Sequence, residues 1–432
     1  MSENSALPPL AYEAAVQQNF RRNYVAHCLD GGFFMGAMAF LAGETVMPVM
    51  IRSLGGKDWL LSMMPQMMAL GFMLPPILLA HRMERMERLK KFIVLMGVLQ
   101  RLPYVVAAMG LIFFADTHPL MVLVLVALTP FLSGIFGGIS FGGWIEMTSR
   151  LIPAKRRSSS TAIRSLLGAM LGFAAGGTIK LILDRHPGAE GFGYLHLLAF
   201  GVLGFSLIAF SCFKEPAKQL PAEVGDRSLA RSLREMPKII LDDARFRLYV
   251  GVRMATCGMF LLTPFLAIHA IHTAGRGEGF LGTLVQVQTA GAILGNLFAG
   301  WLGDKKGGRL PLLWSQMLYI GVCVGAVIGG QAIIFMAVFF FLGIANSFQM
   351  VGQSTLAVEI CPEHRRPSYF AVMNIILFFV MLSAAGISTV VSMFSNGLFP
   401  GVTLAATLAA CCLAAAHFLL VKIKDPRMER TA

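Results

Sequence analysis

The sequence predicts an all-α integral membrane protein of twelve spanning helices, arranged as two related six-helix bundles. Three observations carry that reading. The 432 residues are 56% apolar and only 14% charged, with a mean hydropathy of +0.69, whereas a soluble domain carries about 25% charged residues. Apolar runs of roughly 20 residues, enough to cross a bilayer, recur along the whole chain. A charged turn, Gly300-Trp-Leu-Gly-Asp-Lys-Lys-Gly-Gly-Arg309, has a worn copy 220 residues upstream. There Ala80, Glu84, Arg85 and Glu87 fall on Gly300, Asp304, Lys305 and Gly307.

The apolar segments are, in order, 24–47, 57–80, 92–115, 119–148, 160–183 and 194–213, then 245–271, 278–303, 309–330, 332–358, 368–394 and 398–421. Gly330-Gln331 and Ser395-Asn396-Gly397 leave room only for tight hairpins between antiparallel helices. The longest polar stretch, Lys214 to Asp243, holds Pro216, Pro221 and Pro237 and many charges. The expected domains are therefore a bundle over 1–213, a cytoplasmic linker over 214–244 and a second bundle over 245–432.

Orientation follows from the cations, since cytoplasmic loops carry the excess of Lys and Arg. With the N-terminus inside, the cytoplasmic segments hold 29 of the 36 Lys and Arg residues, and only Arg52, Lys57, Arg185 and Arg276 lie outside. Both termini are expected in the cytoplasm. This bias accounts for the net charge of +13, so a nucleic-acid partner is not needed. The first 23 residues lack an apolar core, so the first helix itself is expected to direct insertion into the cytoplasmic membrane. The seven cysteines show no extracellular pairing and no zinc spacing, and no Walker loop, dinucleotide fingerprint or HExxH occurs. No metal, cofactor or enzymatic activity is expected.

Echoes between the halves support the duplication. Arg22-Asn-Tyr-Val25 opens the first segment and Arg247-Leu-Tyr-Val250 the seventh. Pro153 with Arg156–Arg157 follows the fourth, and Pro362 with Arg365–Arg366 the tenth. With Gly300, Asp304, Lys305, Gly307 and Arg309 in the pattern G-x-x-x-D-[RK]-x-G-x-[RK], the chain resembles the major facilitator superfamily. The first copy departs from it, with Glu87 in place of glycine. The resemblance implies two bundles related by an axis along the membrane normal, a small-molecule substrate held between them, and rocking between inward-open and outward-open states. It also implies that segments 1, 4, 7 and 10 line the cavity. The turn residues Gly300, Asp304, Lys305, Gly307 and Arg309, with Glu84 and Arg85, are then expected to act as a conformational latch. Its glycine would let the turn pass close to a neighbouring helix.

Ionisable groups inside the hydrocarbon cost at least ~2.5–3.5 kcal/mol at a helix centre, so each needs a reason. In the first segment His27 and Asp30 share a face, and a continuous helix returns Glu44 to nearly that face about 21 Å further out. Arg253 in the seventh segment lies at a depth similar to Asp30. One reading pairs Asp30 with Arg253 across the halves; the other satisfies each within its own half. Asp30 and Glu44 are candidate proton carriers. Arg101, in a peripheral segment, suits a structural pairing inside the first half, with Asp30 as a candidate partner. Glu146 and Glu359 end the fourth and tenth segments and suit charge clusters with the turns near Arg85 and Arg309.

Asn346, Gln349 and Gln353 line one face of the tenth segment, and Gln286 and Gln66 add amides in the eighth and second. All five are candidate substrate contacts, set against interhelical hydrogen bonds of ~0.6 kcal/mol each. Gly168, Gly172 and Gly176 make a smooth face for close packing. The expected function is alternating-access secondary transport of a small solute, with proton-coupled efflux as the leading form. The alternatives are an importer or uniporter of a polar metabolite and, in a different class, a membrane sensor or scaffold. Lipid and protons are the other expected partners, and the chain is expected to be a monomer.

Overall fold

The computed structural model describes residues 8–73, 75, 86, 88–217, 238–362, 366–393 and 398–424, and these are almost entirely helical. A short α1 (Pro9–Gln18) leads into α2 (Phe20–Ala39), α3 (Val46–Ser53) and α4 (Asp58–Met73). Then come α5 (Lys90–Phe113), α6 (Pro119–Leu151), α7 (Ala154–Arg185) and α8 (Ala189–Ser211). The second part begins with α9 (Ala244–Thr256), a 3-10 turn (Cys257–Leu261) and α10 (Thr263–Thr273). It continues with α11 (Phe280–Lys306), α12 (Arg309–Ile328), α13 (Ala332–Ile360), α14 (Arg366–Met393) and α15 (Leu398–Lys422). Among the described residues nine helical spans are long and apolar enough to cross a membrane. Large apolar side chains stand exposed along them, including Leu120, Phe205, Ile208 and Met393. Surface of that kind is tolerated in lipid and not in water. The chain is a multi-pass membrane protein.

Two compact units divide the chain. Unit 1 comprises residues 1–41, 67–172 and 193–229; unit 2 comprises 42–66, 173–192 and 230–432.

The first and seventh segments depart from the continuous helices expected of them, and for the same reason. Pro48 has no N–H to give the carbonyl of residue 44, and its ring would strike that carbonyl. The helix therefore stops at Ala39. The Ala42 carbonyl instead accepts from Thr45, Val46 and Met47 at 3.2, 2.9 and 3.1 Å. Pro264 does the same 216 residues later, where the chain tightens into the 3-10 turn at 257–261. The pieces beyond the two breaks, α3 and α10, pack together in unit 2. Glu44 consequently sits in a turn, out of register with His27 and Asp30. The single stripe with an acid near each end does not exist.

The internal repeat also shows in close helix contacts. In unit 1 a Cβ added at Gly134 would run into the Met68 carbonyl, and one at Gly71 into the Phe131 carbonyl, so α4 and α6 touch backbone to backbone. In unit 2 the equivalent contact joins α11 and α13: Gly291 faces the Phe340 carbonyl and Gly343 the Gln288 carbonyl. Gly168 and Gly176 of α7 serve the same purpose, facing Met35 within unit 1 and the Gly282 carbonyl within unit 2. Small residues at such crossings let dispersion contacts form where lipid supplies no hydrophobic drive. Gly134→Val and Gly343→Val should each destabilise the purified chain by about 1–3 kcal/mol or more, as overpacking does. Thermal unfolding in detergent measures this. Gly300→Ala is the control, because nothing lies within 4 Å of the added carbon.

The beginning of the linker is fastened to unit 1. The Glu215 carboxylate accepts from the backbone N–H groups of Leu89 (2.9 Å) and Lys90 (2.8 Å) at the start of α5, where a helix end welcomes an anion. Asn23 exchanges two hydrogen bonds with Lys214, at 3.0 and 2.8 Å. Glu215→Ala should cost about 1 kcal/mol, the usual worth of a cap. The same unfolding measurement tests it, with Glu215→Gln losing less.

Candidate functional site

Unit 1 holds a partly open cavity of about 200 Å³. Asp30 of α2 lies on its wall, 7% exposed. Its Oδ1 accepts from the Ser206 hydroxyl at 2.8 Å, and the Trp144 indole is within hydrogen-bonding reach of the same carboxylate. Arg101 of α5 braces this arrangement. Its Nη2 donates to Ser206 at 2.9 Å, its Nε to the Leu203 carbonyl and its Nη1 to the Gly97 carbonyl, both at 2.7 Å. A guanidinium with its fork divided among three protein acceptors is a strut, and Ser206 links it to Asp30. The structural role expected of Arg101 and its link to Asp30 thus have a concrete geometry.

A second guanidinium enters the same cavity. Arg164, near the start of α7, lies over the Trp144 ring at 4.6 Å, close enough for a cation–π contact. Its stem occupies the space that a side chain at residue 31 would take, so Gly31 is what admits it. His27 is buried and stacks on Trp144 with ring centroids 5.6 Å apart. Its Nδ1 has no hydrogen-bond partner among the described residues. Sequence reasoning missed Arg164, Trp144 and Ser206. Arg164 stood inside an apolar segment but was counted with the cytoplasmic cations, and a lone intramembrane cation was the available signal.

Unit 2 holds the other polar cluster. Glu44 Oε2 accepts from Asn346 Nδ2 at 3.2 Å and Gln288 Nε2 at 3.4 Å. Asn346 Oδ1 in turn accepts from the Tyr319 hydroxyl at 2.7 Å. One turn along α13, Gln349 Oε1 accepts from Ser315 at 2.8 Å and Gln349 Nε2 donates to Gln353 Oε1 at 3.4 Å. The Gln353 carbonyl receives the Tyr249 hydroxyl at 2.8 Å, and Arg253 reaches that hydroxyl from one turn along α9. The amide stripe of α13 thus ties α9, α11 and α12 together and anchors Glu44. The partners found for Asp30 lie in unit 1 and those for Arg253 in unit 2.

Two other amides have local partners. Gln66 is fully buried, donating to the Ser62 carbonyl at 3.0 Å. Gln286 donates to the Phe173 carbonyl at 3.4 Å and packs on Gly176.

The charged turn closes α11. Gly307 takes φ +77°, a conformation that favours glycine, and its N–H returns to the Gly303 carbonyl at 2.9 Å. The close approach expected of a glycine in this turn is made by Gly308, which faces the backbone of Gly352 and Leu356, while Gly300 borders open space. Glu359 Oε2 accepts the Gly308 N–H at 3.2 Å. Arg309 donates to the Leu420 and Val421 carbonyls at 3.4 and 2.9 Å, where cations suit a helix C-terminus. Lys305 lies over Trp301 at 4.5 Å and Asp304 stands exposed. Glu146 pairs with Arg150 at 2.7 Å, one turn along α6. Glu84 and Arg85 fall outside the described residues.

Residues 248–432 match the sequence profile of the Major Facilitator Superfamily. The fold matches the crystal structure of a D-xylose-proton symporter with a TM-score of 0.70 and 14% identity, covering 94% of this chain and 98% of that one. Over residues 248–432 the chain is therefore similar to the major facilitator superfamily. The crystal structure of the nucleoside transporter NupG is a second match, with a TM-score of 0.67 and 12% identity over 93% of this chain and 98% of that one. By sequence, the chain is similar to Rv2209 of Mycobacterium tuberculosis, 22% identical over 300 residues, or 67% of this chain and 55% of that one. The curated relatives it matches are spanned by the chain over only 20–55% of their own lengths. Within this fold, the two polar clusters place Asp30, Arg101, Arg164 and Glu44 among largely apolar helices.

Proposed function

We propose that this chain is a secondary transporter that moves a small solute across the cytoplasmic membrane by alternating access. Asp30 and Glu44 carry the coupled protons. The observation that carries the reading is the pair of carboxylates, Asp30 buried and Glu44 half-buried, each inside its own unit. Each is held by neutral donors, Ser206 for Asp30 and Asn346 with Gln288 for Glu44. Such residues in membrane segments serve ion or substrate paths by default, and a carboxylate held by hydroxyl and amide donors tolerates both protonation states. The superfamily fold supports the same reading, since among solved structures of like fold are a D-xylose-proton symporter and a nucleoside transporter. In this reading both termini are cytoplasmic, the chain works as a monomer, and Arg309 and Asp304 belong to the switch between states.

The test is reconstitution of the purified chain in proteoliposomes, with a panel of labelled solutes and an imposed pH gradient. At least one solute should accumulate, and a protonophore should collapse the accumulation. Uptake of the same solute that ignores the protonophore would remove proton coupling from the proposal.

A further inference from the structure

We infer that the unit 1 cavity binds a small aromatic carboxylate, gripped by Arg164. This deepens the transport reading and rests on it only in taking the cavity as the place where the solute is held.

Size comes first. An apolar cavity of about 150 Å³ accepts benzene. The unit 1 cavity, about 200 Å³, has room for one ring and one small polar group. Shape agrees: Phe34, Phe72, Phe141, Trp144 and Phe210 supply flat walls, which favour a flat apolar guest through offset and edge contacts.

Charge then selects the polar group. One carboxylate, Asp30, faces two guanidiniums, Arg101 and Arg164, so the cavity carries a surplus of one positive charge. Arg101 has committed each of its three nitrogens to a protein acceptor, Leu203, Gly97 or Ser206, and Ser206 delivers the hydrogen bond to Asp30. Arg164 is different. Among the described residues it makes no hydrogen bond and no ion pair within 4 Å; it lies over the Trp144 ring, with the Asp30 charge on the same cavity wall. A guanidinium has five donors in a planar fork, and those of Arg164 are left for the cavity. A carboxylate fits that fork with two parallel bonds. An amine would meet repulsion there. A sugar would need more hydroxyl and amide partners than Gln100 and Ser140, and the Ser140 hydroxyl already donates to the Gly137 carbonyl at 3.0 Å.

The test titrates the purified full-length chain in detergent, at neutral pH, with benzoate, benzamide and benzylamine, read by tryptophan fluorescence and by calorimetry. Benzoate should bind saturably, and the neutral and cationic analogues at least about tenfold more weakly, the worth of one charge-assisted hydrogen bond. Arg164→Lys keeps the charge but loses the fork, and should weaken benzoate by about ten- to a hundredfold. Gly31→Val leaves Arg164 in place chemically but evicts its stem, and should cause a comparable loss. Equal affinity for the three probes, no binding of any, or an unchanged Arg164→Lys variant would overturn the inference. The three-probe comparison uses the wild-type chain, so a variant that fails to fold does not shield it. Benzoate binding without any flux in proteoliposomes would sink the transport reading and leave this one standing. Flux of another solute class with no benzoate binding would do the reverse.

Discussion

Vesicles carrying the Asp30→Asn, Glu44→Gln double variant should move solute down its gradient only. The wild-type chain should concentrate it about tenfold per unit of imposed pH gradient, if one proton accompanies each solute. The substitutions are chosen to keep shape and hydrogen bonds. An amide oxygen at residue 30 can still accept from Ser206, and one at residue 44 can still accept from Asn346 and Gln288. What disappears is the capacity to take up and release a proton. Each single variant separates the two sites, and the one that alone abolishes accumulation identifies the coupling carboxylate. Undiminished accumulation by the double variant would mean that coupling runs through other groups.

Arg101→Leu should be the most destabilising single change in unit 1, by about 3–5 kcal/mol, the usual cost of leaving a buried charge without its partner. Arg101 is only 6% exposed. Its loss strips three acceptors at once and leaves Arg164 as the one guanidinium on the cavity wall beside Asp30. Adding Asp30→Asn should return part of that loss, because the stranded charge is then gone. Thermal unfolding of the three proteins in detergent measures both effects. If Arg101→Leu unfolds with the wild type, Arg101 is not a strut.

The sequence was most informative where physics acts over whole segments. Runs such as 309–330 and 332–358 became α12 and α13 within two residues at each end, because lipid demands both apolarity and intrahelical hydrogen bonding. The breaks at 40–45 and 257–262 were less legible. Apolar periodicity continues through both, and only Pro48 and Pro264 betray them. Partners were harder still. Asp30 could be recognised as a charge that needs an explanation, but Ser206 and Arg164 lie 176 and 134 residues away, and one sequence offers no measure of proximity. Glu44 shows the same limit: its neighbour Asn346 was singled out as an amide, yet nothing in its spacing pointed to Glu44. The glycines were readable as small surfaces and not as specific pairs, so which glycine of the turn makes the close contact, Gly308, was not legible.

Solute counterflow tests the central claim most directly, since it reports alternating access without any assumption about driving force. Proteoliposomes preloaded with unlabelled solute should take up the labelled solute faster and transiently further than empty ones, because a loaded site returns across the membrane. Equal uptake by loaded and empty vesicles, or uptake matching protein-free liposomes, would contradict the account.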